Sequence, residues 1–259
     1  MSWLSQGFEV FPPEPAVEDW VRSVRAPALA AAADYAQRAV WLRHGGTWFV
    51  GVDALPNDVH GAVGRGPAFA GAAFDAAVAA TGIARLHRAQ LSVTYPGYPL
   101  QDAEESAAAH RFRTQRDAAH LDGLLPEGPD KRRHLREPHA WILGVALTEA
   151  DVGASPLVVW EGSHELIRRA FARVFEGVPA PEWGDVDVTE IYKAARAEVF
   201  EGCRRVEVPL APGDAVLLHR HVIHGVAPWT DGAKAATEGR AIAYFRPCFE
   251  DPSDWLERP

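Results

Sequence analysis

Residues 117–128 read DAAHLDGLLPEG, and the two polar groups at its centre, His120 and Asp122, are separated by a single leucine. An extended backbone projects residues i and i+2 from the same face, so both side chains point one way. Such a pair is either half of a metal site or two polar groups on the wet face of a sheet. The rest of the chain must decide.

Two histidines and one carboxylate on one face of an octahedral ion leave three positions open, the arrangement of non-haem Fe(II) oxygenases. A third ligand is therefore sought on a distant segment. The stretch APGDAVLLHRHVIHGVAPW (211–229) offers a Pro-Gly-Asp turn, a short apolar strand and three histidines, at 219, 221 and 224. His219 continues the strand, and His221 is suited to a supporting or surface position. His224 precedes Gly225, where another backbone can approach closely, and it is the preferred ligand. A hydrogen-bonded core histidine stays open as an alternative for each.

Downstream, GRAIAYFRP (239–247) reads as a strand on which Arg240, Ile242, Tyr244 and Arg246 share parity. A buried arginine needs an anion, and its planar fork suits a carboxylate. The partner is either an internal acid or a bound dicarboxylate.

Composition narrows the class. The chain has 259 residues, 47% of them hydrophobic, and a formal net charge of −9. The charge argues against general binding to nucleic acid or an anionic membrane. The basic cluster KRRH (131–134) reads as a solvated loop, with contact to an anionic small-molecule substrate as the sharper alternative. Cys203 and Cys248 form neither a CxxC pair nor a disulfide framework. No apolar run reaches the ~18 residues of a membrane span. The N-terminal MSWLSQGFEVFPPEP lacks the features of a signal peptide. A cytoplasmic location is expected.

The first ~82 residues are rich in alanine and glycine. They predict a mainly helical portion: Val17–Arg43 interrupted near Pro27, a strand within Gly45–Leu55, and a helix over Gly66–Thr81. From about 83 to 250, short β-like segments bounded by Gly, Pro and Asp predict a sandwich or barrel. Helices over His164–Glu176 and about Asp187–Glu201 interrupt it. One domain spanning 1–259 is expected, with oligomeric state unread.

In the order HLD…GSH…PGDAVLLH…HG…RA, the chain resembles the phytanoyl-CoA dioxygenase family of Fe(II)/2-oxoglutarate oxygenases over roughly Leu91–Phe249. The resemblance implies a mainly β protein with flanking helices around a double-stranded β-helix (jelly-roll, cupin-like) core. It implies iron held by His120, Asp122 and His224, with 2-oxoglutarate held by Arg240. Dioxygen would be the second cosubstrate, and succinate and carbon dioxide the coproducts. Related iron halogenases replace the aspartate with a small residue, so Asp122 implies hydroxylation or a related oxidation.

Three positions depart from the family pattern. Glu161 replaces a usual proline, Trp229 replaces a usual polar residue, and 16 residues separate His224 from Arg240, which leaves Arg246 as the reserve arginine. Gln90 and Thr94 are candidate 2-oxoglutarate contacts, and Tyr95, Arg136 and Trp141 are candidate substrate contacts. His139 could face the pocket or solvent, and His164 could lie at the site's mouth. Two other readings remain: a cupin-like metalloenzyme that uses no 2-oxoglutarate, and a non-catalytic jelly-roll binding protein.

Overall fold

The computed structural model describes residues 2–259. The chain opens with α1 (Trp3–Gln6), β1 (Phe8–Phe11), α2 (Pro15–Ala33), α3 (Tyr35–Trp41), β2 (Leu42–Arg43), β3 (Trp48–Gly51) and α4 (Ala72–Thr81). It continues with β4 (Gln90–Thr94), α5 (Ala107–Gln115), β5 (Leu124–Glu127), β6 (Arg132–Leu135), β7 (Trp141–Ala146), β8 (Leu157–Glu161) and α6 (Ser163–Val174). The last elements are α7 (Thr189–Gly202), β9 (Arg204–Val208), β10 (Ala215–His219), β11 (His224–Val226), β12 (Arg240–Phe245) and α8 (Asp254–Glu257).

All six residues of β7, WILGVA, are buried, as an apolar run covered on both faces must be. It is an inner strand, third in a seven-stranded antiparallel sheet ordered β1-β10-β7-β12-β4-β3-β2. A smaller sheet, β11-β8-β9, stacks against one face. Ile142, Val216, Leu218 and Ile242 of the large sheet meet Leu157, Val159 and Val208 of the small one in the layer between them. The other face of the large sheet, with Trp141, Leu143, Val145 and Leu217, is covered by helices. Phe74 of α4 packs edge-on to Trp141, with ring centroids 6.1 Å apart. The architecture is the expected one: mainly β, with flanking helices. No helix among the described residues is long and apolar enough to cross a membrane.

The N-terminal portion differs from expectation in a way that matters. It is not only a helical flank, because β1 forms one edge of the large sheet and β2 and β3 the other. The helical break falls at Asp34 rather than Pro27, which lies inside α2. Asp34 accepts a hydrogen bond from the Gln37 N–H at 2.9 Å and so starts α3 afresh. The helix expected over Gly66–Thr81 begins only at Ala72, after Gly71 with φ +150°. KRRH is partly strand: β6 pairs with β5, and Lys131 turns the hairpin at φ 51°. The helix α5 was not anticipated by the sequence pattern.

Candidate metal centre

The site lies between the two sheets at one end of the sandwich. His120 and His224, 104 residues apart, meet as an isolated antiparallel bridge. The His120 N–H donates to the His224 carbonyl at 2.8 Å, and the His224 N–H returns the bond at 3.1 Å. Close approach requires a glycine next door. A Cβ on Gly225 would lie 2.2 Å from the Asp117 carbonyl oxygen.

Backbone carbonyls orient both imidazoles. His120 Nδ1 lies 3.0 Å from the Ala118 oxygen, and His224 Nδ1 lies 3.1 Å from the Val222 oxygen. Placing the ring protons on Nδ1 leaves the Nε2 lone pairs facing the same point, as ligating histidines require. His120 Nε2 lies 3.1 Å from Asp122 Oδ1, and His224 Nε2 lies 3.8 Å from Asp122 Oδ2. One ligand atom from each residue falls within 4.8 Å of the others, the only such trio among the described residues. Adjacent ligands on an octahedral ion at about 2.1 Å stand roughly 3 Å apart, so the three groups fit a small divalent ion.

The charges agree with that fit. Burial works against ionisation of Asp122, but the Arg246 guanidinium and the His120 hydrogen bond hold its carboxyl well below the ordinary range. Burial, with His120 beside it, lowers His224 to about 4. An anionic carboxylate beside a neutral His224 imidazole belongs to the donor set a divalent metal takes.

A cavity of about 320 Å³ opens at these ligands. Its wall is mostly apolar, with Trp48, Val50, Ile142, Leu157 and Tyr244, and its polar groups include Gln90 and Ser92. Gly144 makes room for the Tyr244 ring, since a Cβ there would lie 2.5 Å from Tyr244 Cε1.

Arg240 shares the inward face of β12 with Tyr244 and pairs in register with Thr94. Tyr244 reaches the cavity wall; Arg240 lies four residues back along the strand, 3% exposed. Its Nη1 and Nη2 are buried without a hydrogen-bond partner, as are the nearby Thr94 Oγ1 and Tyr98 hydroxyl. Burial lowers the Arg240 pKa, and only the phenols Tyr244 and Tyr98 oppose it. A buried cation without a counter-charge is costly, so this cluster is shaped for an anion. Arg246 is different, because its Nη1 already donates to Asp122 Oδ2 at 3.1 Å.

Several expected residues lie elsewhere. Trp141 faces the helices, not the cavity, because β7 is apolar on both faces and its even-numbered residues point inward. Tyr95 leaves β4 on the helical side, where Arg38 lies 5.7 Å from its ring. Arg136 pairs with Glu127 across the β5–β6 hairpin and lines no part of the metal cavity. His164 is buried against α1, with Nε2 3.1 Å from the Leu4 carbonyl. The KRRH arginines also point away: Arg132 pairs with Asp187 and Glu190 near the start of α7. Trp48, Ser92, Glu137 and Ile142 line the cavity without having been singled out. The parity of Ser92 with Gln90 was the available clue.

The fold and the His-Asp-His set define a stacked-sheet β protein with a candidate metal centre. The family model described as phytanoyl-CoA dioxygenase (PhyH) matches residues 72–234, which include all three candidate ligands. The chain belongs to the phytanoyl-CoA dioxygenase family. No curated protein matches it. Among solved structures it is similar to the non-haem alpha-ketoglutarate-dependent carbocyclase SnoK from nogalamycin biosynthesis, with TM-score 0.52 and 16% identity, covering 95% of this chain and 81% of that one. It also matches EctD from S. alaskensis with bound Fe, with TM-score 0.45 and 17% identity, covering 95% and 74%. AviO1 from Streptomyces viridochromogenes Tue57 matches with TM-score 0.45 and 16% identity, covering 96% and 93%.

Proposed function

We propose that this chain is an Fe(II)- and 2-oxoglutarate-dependent oxygenase acting as a single domain. It would hydroxylate, or otherwise oxidise, a C–H bond of a small molecule, with succinate and carbon dioxide as coproducts. The observation that carries the reading is Arg240, a buried cation with no anion beside it, on the sheet facing the His120, Asp122 and His224 set. Family membership supports the same reading.

Iron held by the three ligands would activate dioxygen at the expense of 2-oxoglutarate. The chain's own groups bind, orient and exclude water. His120, Asp122 and His224 would hold the ion at the floor of the cavity they line. Arg240, with Thr94 and Tyr98 beside it, receives the distal carboxylate of 2-oxoglutarate. Gln90 and Ser92 supply polar contacts on that wall. Trp48, Val50, Ile142 and Leu157 keep water out and seat an apolar portion of the substrate.

The test is thermal stability with Mn(II) alone and with added 2-oxoglutarate, followed by succinate release with Fe(II). Metal should raise Tm, and 2-oxoglutarate should raise it further, because ligands that bind only the native state stabilise it. His120→Ala and Asp122→Ala should abolish both steps. Stabilisation by metal with no response to 2-oxoglutarate would point to a metalloenzyme that does not use this cosubstrate.

A further inference from the structure

Beyond Arg246, away from the metal ligands, three side chains stand in line. Glu137 Oε2 lies 3.3 Å from His139 Nε2, and His139 Nδ1 lies 3.4 Å from the sulfur of Cys248. A β-bridge between His139 and Cys248 sets this order. All three line a second cavity of about 630 Å³, to which His87 and Arg246 also contribute. His139 is buried, whereas Cys248 is exposed to the cavity and to solvent. Glu137 also borders the metal cavity, but the proposed oxygenase chemistry gives His139 and Cys248 no task.

A carboxylate behind an imidazole behind a thiol is the arrangement that activates sulfur. The carboxylate supports the charge on the ring, and the protonated ring, whose Nδ1–H also faces the Arg246 carbonyl, balances the thiolate charge. Burial alone would keep His139 neutral, yet the Cys248 sulfur and the Glu137 carboxylate push it up to about 9. Protonated on both nitrogens, the ring is paired by charge with the Glu137 carboxylate, without hydrogen-bond geometry at Nε2. Nε2 faces Glu137, and Nδ1 faces both the Arg246 carbonyl at 2.9 Å and the Cys248 sulfur. Cys203, following α7, provides an internal contrast, because burial alone acts on its thiol and pushes it up.

We propose that Cys248 is a redox-reactive thiol, activated by His139 and Glu137 and oxidised to the sulfenic acid by hydrogen peroxide entering the second cavity. The sulfur attacks one peroxide oxygen; an S–O bond forms and the O–O bond breaks. Sulfur gives up two electrons, and the departing hydroxide leaves as water with the thiol proton. The new hydroxyl lies beside the ring that binds the Arg246 carbonyl, so the modification reaches the backbone carrying the partner of Asp122.

The test compares the two cysteines within the full-length protein. Iodoacetamide labelling is followed at each site by peptide mass spectrometry from about pH 5 to about pH 9, across the range of ordinary and activated thiols. Chelator-treated protein is separately exposed to hydrogen peroxide, and sulfenic acid is trapped with dimedone. Cys248 should label about tenfold faster than Cys203 at neutral pH and should be the principal dimedone adduct. His139→Gln should slow labelling of Cys248 about tenfold and move its profile to higher pH. Glu137→Gln should act in the same direction, and it serves if His139→Gln does not fold. Profiles for Cys248 that superimpose in wild type and the folded variant overturn the proposal. So does dimedone labelling of Cys248 no greater than that of Cys203.

Discussion

Arg246 donates from Nη1 to Asp122 Oδ2 at 3.1 Å, so the carboxylate of the candidate metal site already holds a fixed cation on one oxygen. Both side chains are largely buried. Arg246→Met would leave Asp122 facing two imidazoles with no permanent positive charge. Losing one partner of such a pair should lower the stability of the metal-free protein by roughly 2–3 kcal/mol, below the full cost of a deeply buried pair. Saturating Mn(II) should recover most of that loss. Denaturation with and without the metal measures both, and an equal loss in the two conditions would separate Arg246 from the carboxylate's charge.

Arg240 gives a prediction of opposite sign. Its buried guanidinium ends have no partner, so Arg240→Met removes an uncompensated charge and keeps much of the volume. Without ligands, the variant should be as stable as the wild type, or more stable by about 1 kcal/mol. With metal present, 2-oxoglutarate should no longer raise its Tm. A variant that is less stable yet still responds to 2-oxoglutarate would move the cosubstrate site away from Arg240.

Gly225→Ala tests the joint between the two histidines. The added methyl meets the Asp117 carbonyl, which belongs to the backbone and cannot swing aside. Overpacking of this kind costs about 1–3 kcal/mol. Because His224 is the adjacent residue, Mn(II) affinity should fall along with stability. Calorimetric titration of folded Gly225→Ala protein decides, and unchanged affinity would show that the joint does not position the ligands.

Acid should weaken the fold through histidines that bind no metal. Burial holds His219 and His221 well below their ordinary value, and it also lowers His164. These rings lie together, with His164 and His219 centroids 4.9 Å apart and His219 and His221 5.2 Å apart. Their unfolded pKa is about 6.5, so below that pH the unfolded chain binds protons that the folded chain refuses. Stability from these rings is therefore complete above about pH 6.5 and declines as pH falls. His139 acts in reverse: raised to about 9, it contributes most below about pH 6.5, and that contribution is lost as pH rises through 9. Unfolding free energies from pH 5 to 9 should show both slopes, and replacing His219 with Gln should flatten the acid one.

The residues of the candidate metal site were legible because their signal is local. One intervening residue gives His120 and Asp122 a common face, and a following glycine identifies His224. Face assignment was less accessible. Both faces of β7 are apolar, so nothing in WILGVA reveals that Ile142 lines the cavity while Trp141 meets α4. Tyr95 failed for the same reason at the end of β4. The KRRH cluster read as a solvated loop, with an anionic substrate as the alternative, whereas the partners of Arg132 lie more than fifty residues away, near the start of α7. The strand β1 escaped because its four residues find their place only when β10 is beside them.

The candidate iron ligand His224 and the candidate carboxylate receptor Arg240 stand on different sheets. A dicarboxylate gripped at both ends would bridge the two layers, whose spacing in stacked sheets is about 10 Å. The sandwich is then a ruler. The packing of Ile142, Leu157 and Ile242 between the layers sets how long the bridging molecule can be. Homologues of 2-oxoglutarate one methylene shorter or longer would be discriminated by that distance, without any side chain dedicated to rejecting them.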